Sequence, residues 1–360
     1  MGPGPSNVPQ SVLNAMSSQT IGHLDPEFLI LMDQIRSKLR QVFGTDNEVT
    51  IPISGTGSAG METCLVNLLE PGDCVLVGIN GVFGNRLRDV AERACATVTE
   101  VEQVWGRTFD VDQFREAANG KKFKLVCVVH AETSTGALQE LQGFDDFADE
   151  VGALLLVDTV TSLGGVELNI DESGIDATYS GTQKCLSCPP GLSPVSFSDK
   201  ALEVLSGRKT PVQSWYFDLT LITQYWGEER AYHHTAPINM LYGLHEALEL
   251  ILDEGLQNRA MRHLTNCQAL IAGLQEIGLE MLVPESERLP SLTSVCIPPG
   301  MNDEQVRRQL LENHGLEIGG GLGPLKGKIW RIGLMGASST SENVSFCLSA
   351  LSEALRFQGF

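Results

Sequence analysis

The stretch "LLLVDTVTSLGG", Leu154 to Gly165, opens on an unbroken aliphatic run and stops at an acid, Asp158. A run without polar alternation marks a strand buried on both faces, as in a parallel sheet covered by helices. Such sheets open their binding crevice at the carboxyl ends of the strands. Asp158 therefore stands where a ligand is expected. Comparable runs, each bounded by turn residues, occur at Cys74–Ile79, Lys124–His130 and Ser193–Phe197. Amphipathic stretches lie between them at Met61–Leu69, Leu87–Ala94, Val111–Ala118 and Phe144–Val151. The alternation predicts an α/β fold with a mostly parallel sheet covered by helices. After about Pro237 the pattern changes. Helical segments at Ile238–Leu252 and Asn258–Ile277 lead to short strands around Ser294–Ile297 and Ile329–Leu334, and Glu342–Leu355 reads as a closing helix. This predicts a smaller α+β domain at the C-terminal end. The expected division is an N-terminal arm at 1–20, a large domain at 21–255 and a small domain at 256–360.

Composition narrows the function classes. The chain of 360 residues carries 25 Lys and Arg against 45 Asp and Glu, a net charge of −20. A surface this acidic repels nucleic acid and anionic membrane, which call for clustered basic residues. No apolar run reaches the roughly 18–20 residues of a membrane span, and no charged segment followed by an apolar one opens the chain as in a secretory signal. Nine cysteines, scattered and odd in number, read as free thiols in a reducing compartment. The expectation is a cytoplasmic protein.

Upstream of the deciding stretch, "ISGTGSAGMET" at Ile53–Thr63 contains the pattern G-x-G-x-x-G. A dinucleotide site would need an acid at the end of the second strand. That strand, "CVLVGING", ends in Ile79-Asn80-Gly81, without a carboxylate. Glycines and the free N–H groups of a helix starting near Ser58 suit a single phosphate instead. Downstream, "DATYSGTQKCLSCPPG" at Asp176–Gly191 places Lys184 in a polar turn after a short strand, 184 − 158 = 26 residues beyond Asp158. A desolvated lysine is a candidate for covalent carbonyl chemistry. Phosphate loop, strand-end acid and strand-end lysine match what pyridoxal phosphate (PLP) requires: lysine for its aldehyde, acid for its ring nitrogen, loop for its phosphate. Plainer readings exist for each piece: a ligand-free glycine turn, an acid capping a helix, a solvated lysine. The later glycine cluster "GGGLGPLKGK" at Gly319–Lys328 lacks the spacing and the Ser or Thr of a Walker loop.

These and further stretches carry a resemblance over nearly the whole chain. They are "GPGPSNVP" (Gly2–Pro9), "SGTG" (Ser54–Gly57), "NGVFGNR" (Asn80–Arg86), "ETSTGALQ" (Glu132–Gln139), "VDTVTSLGG" (Val157–Gly165), "YSGTQKCLSCPPG" (Tyr179–Gly191), "YHHTAP" (Tyr232–Pro237), "GGLGP" (Gly320–Pro324) and "RIGLMG" (Arg331–Gly336). The chain resembles the class V aminotransferases of PLP fold type I, most of all the alanine–glyoxylate and serine–pyruvate group. The resemblance implies a seven-stranded type of sheet, a homodimer, and ping-pong transfer of an amino group from a small amino acid, alanine or serine, to glyoxylate. It also implies roles. Lys184 would hold the cofactor aldehyde and shuttle the proton, and Asp158 would pair with the ring nitrogen. Phe83 and Val160 would flank the ring, with Thr133 at its hydroxyl or on nearby framework. Thr56, Gly57, Ser58 and Gln183 would bind phosphate, joined by Tyr232 and Thr235 from the other subunit. Arg331 would clamp the substrate carboxylate, a task suited to guanidinium geometry, with Gly4 of the arm beside the substrate.

Two positions depart from the family pattern. Ser58 stands where many relatives carry histidine, and Phe83 where many carry tryptophan. The smaller ring weakens stacking, which bears on cofactor affinity more than on reaction type. The pair His233–His234 is not read as a metal site, because adjacent strand residues face opposite ways. Cys185 and Cys188 form C-x-x-C, which fits a redox or zinc role but, alone, better fits packed thiols. One arginine in a substrate motif favours monocarboxylates over acids with a second carboxylate. The alternatives are a class V lyase or desulfurase, which needs a reactive cysteine on a loop; a 2-aminoethylphosphonate-type transaminase, which needs a further basic site; and a catalytically silent binding subunit.

Overall fold

Every residue of Leu125–Val129 and of Leu154–Asp158 is buried, and these two strands form the middle of the sheet. The computed structural model describes all 360 residues. Seven strands form the main sheet: β1 (Val49–Ser54), β2 (Cys74–Ile79), β3 (Thr97–Glu102), β4 (Leu125–Val129), β5 (Leu154–Asp158), β6 (Ala177–Tyr179) and β7 (Leu192–Phe197). Their spatial order is β1-β7-β6-β5-β4-β2-β3. Strand β7 is antiparallel to both of its neighbours and the other four pairings are parallel. Strands β1 to β6 therefore all run one way, and their carboxyl ends share one edge.

The helices are α1 (Gln10–Met16), α2 (Pro26–Phe43), α3 (Gly57–Leu68), α4 (Val82–Arg93), α5 (Val111–Ala118), α6 (Phe144–Glu150), α7 (Asp199–Ser206), α8 (Leu219–Trp226), α9 (Ile238–Glu254), α10 (Leu256–Glu276), α11 (Asp303–His314) and α12 (Ser341–Phe357). Helix α2 shows why these segments form. Asp25 caps it by accepting from the Glu27 N–H, Pro26 fits the first turn, and Gly44 stops it at φ 67°. Phe28, Met32, Ile35 and Leu39 recur at helical spacing and are buried. Helices α1 and α2 both pack on α9.

One apolar core of 64 buried residues runs from Val12 to Ile251, and a separate one of 17 runs from Leu270 to Leu355. The second core backs a three-stranded antiparallel sheet of β8 (Leu292–Cys296), β9 (Gly319–Gly320) and β10 (Ile329–Gly333), ordered β8-β10-β9. A small cluster of Ala131, Cys185, Leu289, Leu292 and Met335 lies apart from both cores and draws residues from both halves of the chain.

Several elements differ from the sequence expectation. The arm is irregular only as far as Pro9, after which α1 forms. Helix α3 begins at Gly57, next to the start expected near Ser58, whereas α4 begins at Val82 rather than Leu87; the first turn of α4 carries little apolar periodicity. No helix is long and apolar enough to cross a membrane.

Candidate active site

The shared strand edge collects the sequence-designated residues. Strand β1 delivers Thr56, Gly57 and Ser58; β2 delivers Phe83; β4 delivers Thr133; β5 delivers Asp158 and Val160; and β6 delivers Gln183 and Lys184. These turns touch. A Cβ built on Gly57 would lie 3.4 Å from Val160 Cγ2 and 3.6 Å from the Gly181 Cα. The amides of Gly57 and Ser58, at the start of α3, donate to no group in the chain. Such orphan donors at a helix N-terminus are the usual seat of an anion.

Asp158 is buried and accepts from the Val160 N–H at 2.8 Å and the Tyr179 O–H at 2.7 Å. Tyr179 is its register partner in β6. Burial raises the Asp158 carboxyl to about 6, and the two hydrogen bonds offset this only in part. No cationic side chain lies at salt-bridge distance.

Lys184 is 8 % exposed. Burial first, and the nearby Arg331 charge second, lower its ammonium to about 8. Its Nζ donates to the Pro3 carbonyl. The arm is fixed to the same turn: Ser6 N–H donates to the Gln183 carbonyl at 2.8 Å and Ser6 Oγ to the Lys184 carbonyl at 2.7 Å. Gly4 sits at φ 102°, and a Cβ there would meet Nζ at 2.7 Å, so any larger residue collides with the lysine.

Arg331 comes from β10, in the other half of the chain, and crosses to this edge. Its Nη1 donates to the Thr133 carbonyl at 3.1 Å and its Nε to the Gly320 carbonyl at 2.9 Å. Nη2 has no partner within the chain. Thr133 Oγ1 meets Thr161 Oγ1, so its hydroxyl bonds framework here.

Four contributors escaped the sequence reading. Glu132 is fully buried and accepts from the Ser134 and Phe83 amides, which anchors the turn that presents Phe83. Tyr179 orients Asp158. Arg86 lies three residues after Phe83 and over its ring; the i, i+3 spacing on a helix was the available signal. Arg259 of α10 donates to the Cys185 carbonyl at 2.7 Å, beside the lysine.

Other designated residues stand elsewhere or stand differently. Tyr232 and Thr235 are exposed, and Tyr232 touches Thr235 and His23, so one chain does not join them to Lys184. His233 and His234 are not on a strand. Their Nδ1 atoms meet at 2.7 Å, which corrects the expectation of opposite faces. No third His, Cys, Asp or Glu completes a metal-sized cluster. Cys185 and Cys188 are buried free thiols, and burial pushes Cys188 up to about 12.

The arrangement fits PLP. The raised carboxyl of Asp158 lacks the cation that a protonated ring nitrogen would provide. The lowered amine of Lys184 suits reaction with an aldehyde. Gln183 Oε1 is buried without a partner beside the open amides of α3; which end of that amide faces the loop depends on the group it meets. A cavity of about 780 Å³ lined by His130, Glu140, Leu168 and Leu256, among others, contains none of these residues.

The chain is similar to known proteins along nearly its whole length. Residues 1–344 match the family described as aminotransferase class-V. The alanine–glyoxylate aminotransferase of Rattus norvegicus is 43 % identical over 360 residues, covering 99 % of this chain and 87 % of that protein. The solved alanine–glyoxylate aminotransferase of Nostoc sp. is 51 % identical with a TM-score of 0.98, over 99 % of this chain and 94 % of that one. The solved ureidoglycine–glyoxylate aminotransferase of Bacillus subtilis is 42 % identical with a TM-score of 0.98, over 100 % and 93 %.

Proposed function

The chain belongs to the class V aminotransferases and is a PLP-dependent aminotransferase, and we propose that it transfers the amino group of alanine or serine to glyoxylate, as a cytoplasmic homodimer. The observation that carries the substrate reading is Arg331. One guanidinium, fixed by two carbonyls, keeps Nη2 free, and its charge is felt at Lys184. That is a seat for one carboxylate, shared by amino donor and keto acceptor. The three relatives named above act, by their names, on glyoxylate.

Roles follow for this chain's own residues. Lys184, with an amine near neutrality, gives and takes the proton at the substrate Cα. Asp158 keeps the cofactor ring nitrogen protonated, and PLP, when bound, supplies the electron sink for that step. Phe83 and Val160 hold the ring, and Thr133 braces Arg331 through its carbonyl. Thr56, Gly57, Ser58 and Gln183 hold the phosphate, with Tyr232 and Thr235 of the partner subunit. Gly4 keeps the arm clear of the lysine. Two separate apolar cores support a large domain ending near residue 255 and a small one from 256. The alternatives fit less well: both cysteines near Lys184 are buried with raised thiol pKa values, which disfavours a desulfurase nucleophile.

Steady-state kinetics over a grid of donors (alanine, serine, ureidoglycine) and acceptors (glyoxylate, pyruvate, 2-oxoglutarate) tests the reading. Glyoxylate should exceed 2-oxoglutarate in kcat/KM by about 10-fold or more, since a second carboxylate left unpaired in a desolvated site costs on the order of 1–3 kcal/mol. Equal values for the two acceptors would overturn the small-substrate assignment. Mixing Lys184→Ala subunits with Tyr232/Thr235 double variants should restore activity if sites are shared across a two-fold interface; no recovery in a mixed dimer would reject that sharing.

A further inference from the structure

We propose that Arg86 is a cofactor-binding residue whose guanidinium neutralises the phosphate of PLP at the start of α3, an inference that rests on the aminotransferase reading above. None of the groups assigned to that phosphate carries a charge: Thr56, Gly57, Ser58, Gln183, and Tyr232 and Thr235 of the partner subunit are neutral donors. A phosphate monoester bears roughly −1.5 to −2 at neutral pH. In a chain with a net charge of −20, neutral donors alone leave that charge against an unfavourable background.

Arg86 is placed to supply the missing cation. It lies on the first turns of α4, with its Cζ 5.0 Å from the Phe83 ring centroid. Its Nη1 donates to Ser58 Oγ at 3.3 Å, and Ser58 is one of the residues whose amide is open at the α3 terminus. The guanidinium thus spans from the ring that would stack the cofactor to the loop that would hold its phosphate. Its charge is also felt at the Asp158 carboxyl, which it lowers.

The neighbouring arginines of α4 give the contrast. Arg88 pairs with Glu100 at 3.3 Å and Arg93 with Asp89 at 3.0 Å. Arg86 has no acidic partner within 4 Å and shares one hydrogen bond with a hydroxyl. Ser58 is small enough to leave the guanidinium room over the loop, and a bidentate guanidinium matches phosphate geometry. The charge also offsets the weak stacking of a phenyl ring. With Arg86 engaged at the phosphate, it is not available to a second substrate carboxylate, in keeping with a small keto acid as acceptor.

The test is titration of full-length apoprotein with PLP and, separately, with pyridoxal, which lacks the phosphate, read by tryptophan fluorescence quenching and by melting temperature. Arg86→Gln should weaken PLP by about 10- to 100-fold, the range of a charge-assisted contact. It should change pyridoxal by less than about twofold on the same scale. Arg86→Lys, which keeps the charge without the fork, should fall between. Melting temperatures without ligand should agree among the three proteins, because Arg86 is exposed. Unchanged PLP affinity in Arg86→Gln overturns the proposal. So does equal weakening of PLP and pyridoxal, which would mean that Arg86 acts only through Phe83. If wild-type protein binds no PLP at all, the aminotransferase reading itself falls.

Discussion

The crevice and the junction between α9 and α10 both bury charged groups, and they treat them in opposite ways. At the junction, Glu254 receives Arg259 Nη1 at 2.6 Å and Arg262 Nε at 2.6 Å. Arg262 Nη2 also reaches Glu254, at 2.9 Å, and the other guanidinium nitrogens go to carbonyls: Arg259 to Gly164 and Cys185, Arg262 Nη1 to Gly336 and Ser339. Burial pushes the Glu254 carboxyl up, but the hydrogen bonds from Arg262 and Arg259 outweigh it and hold the carboxyl below its ordinary range. In the crevice, burial wins: Asp158 rises to about 6 and Lys184 falls to about 8. Gln183 Oε1 and two helix amides stay unpaired there. A closed network ties the two cores together, whereas an open one is completed only by a ligand.

Substituting each region separates these roles. Lys184→Met should cut kcat by about 10⁴-fold or more, since nucleophile and proton shuttle leave together. It should leave the melting temperature of apoprotein unchanged or higher, because a buried charge without an acid partner is removed. A lower melting temperature would show that the lysine is structural. Arg259→Leu should do the reverse. Arg262 still holds both Glu254 oxygens, but the Gly164 and Cys185 carbonyls lose their donors, so chemical denaturation should reveal a loss of about 3–5 kcal/mol. A loss under about 1 kcal/mol would mean that Arg262 alone closes the network. Asp158→Asn keeps the shape but removes the anion for the ring nitrogen. It should lower kcat by more than about 100-fold with apoprotein stability unchanged or higher, since the buried anion is costly near neutral pH; near-normal kcat would assign the ring nitrogen another partner.

The same contrast explains what the sequence disclosed. The bounds of β2 and α5 coincide with the expected apolar run and amphipathic stretch, and Asp158 and Lys184 stand at strand ends where an α/β crevice must lie. Strand β1 was obscured by Pro52, which normally argues against a strand. In the structure Pro52 faces Pro194 on β7. The Pro194 carbonyl accepts from Ser180 on the β6 side, so the pair falls at a non-bonded rung and the missing donor of Pro52 faces the open edge. Strand β3, "TVTEVE", is half-exposed and polar, and showed no buried run. In the site, Tyr179 and Arg259 act through partners 21 and 74 residues away in sequence, Asp158 and Cys185. Such pairings come from strand register and helix docking, which no local pattern encodes. Arg331 was visible as a motif, but its bracing by the Thr133 carbonyl, 198 residues distant, was not.

The smallest effect concerns a histidine that belongs to the closed region. His263 of α10 is fully buried; its Nδ1 donates to the Arg259 carbonyl at 2.7 Å and its Nε2 accepts the Gly336 N–H at 2.9 Å. That fixes one neutral tautomer, and burial lowers the imidazolium to about 4. Above the unfolded value of about 6.5 both states are neutral and the contribution is complete. As pH falls below that value, the unfolded chain takes a proton that the folded one refuses until about 4, so stability drops. Between pH 7 and 5.5 the loss from this group is about 1 kcal/mol. His130, also lowered to about 4, adds a loss of the same sign, while Asp158 in apoprotein gains stability as pH falls through about 6. The difference between wild type and His263→Gln cancels both. Denaturant unfolding at pH 7 and 5.5 should therefore show the wild type losing about 1 kcal/mol more than the variant. Parallel losses would mean that His263 accepts its proton in the folded state, and that the junction is open to protons as the crevice is.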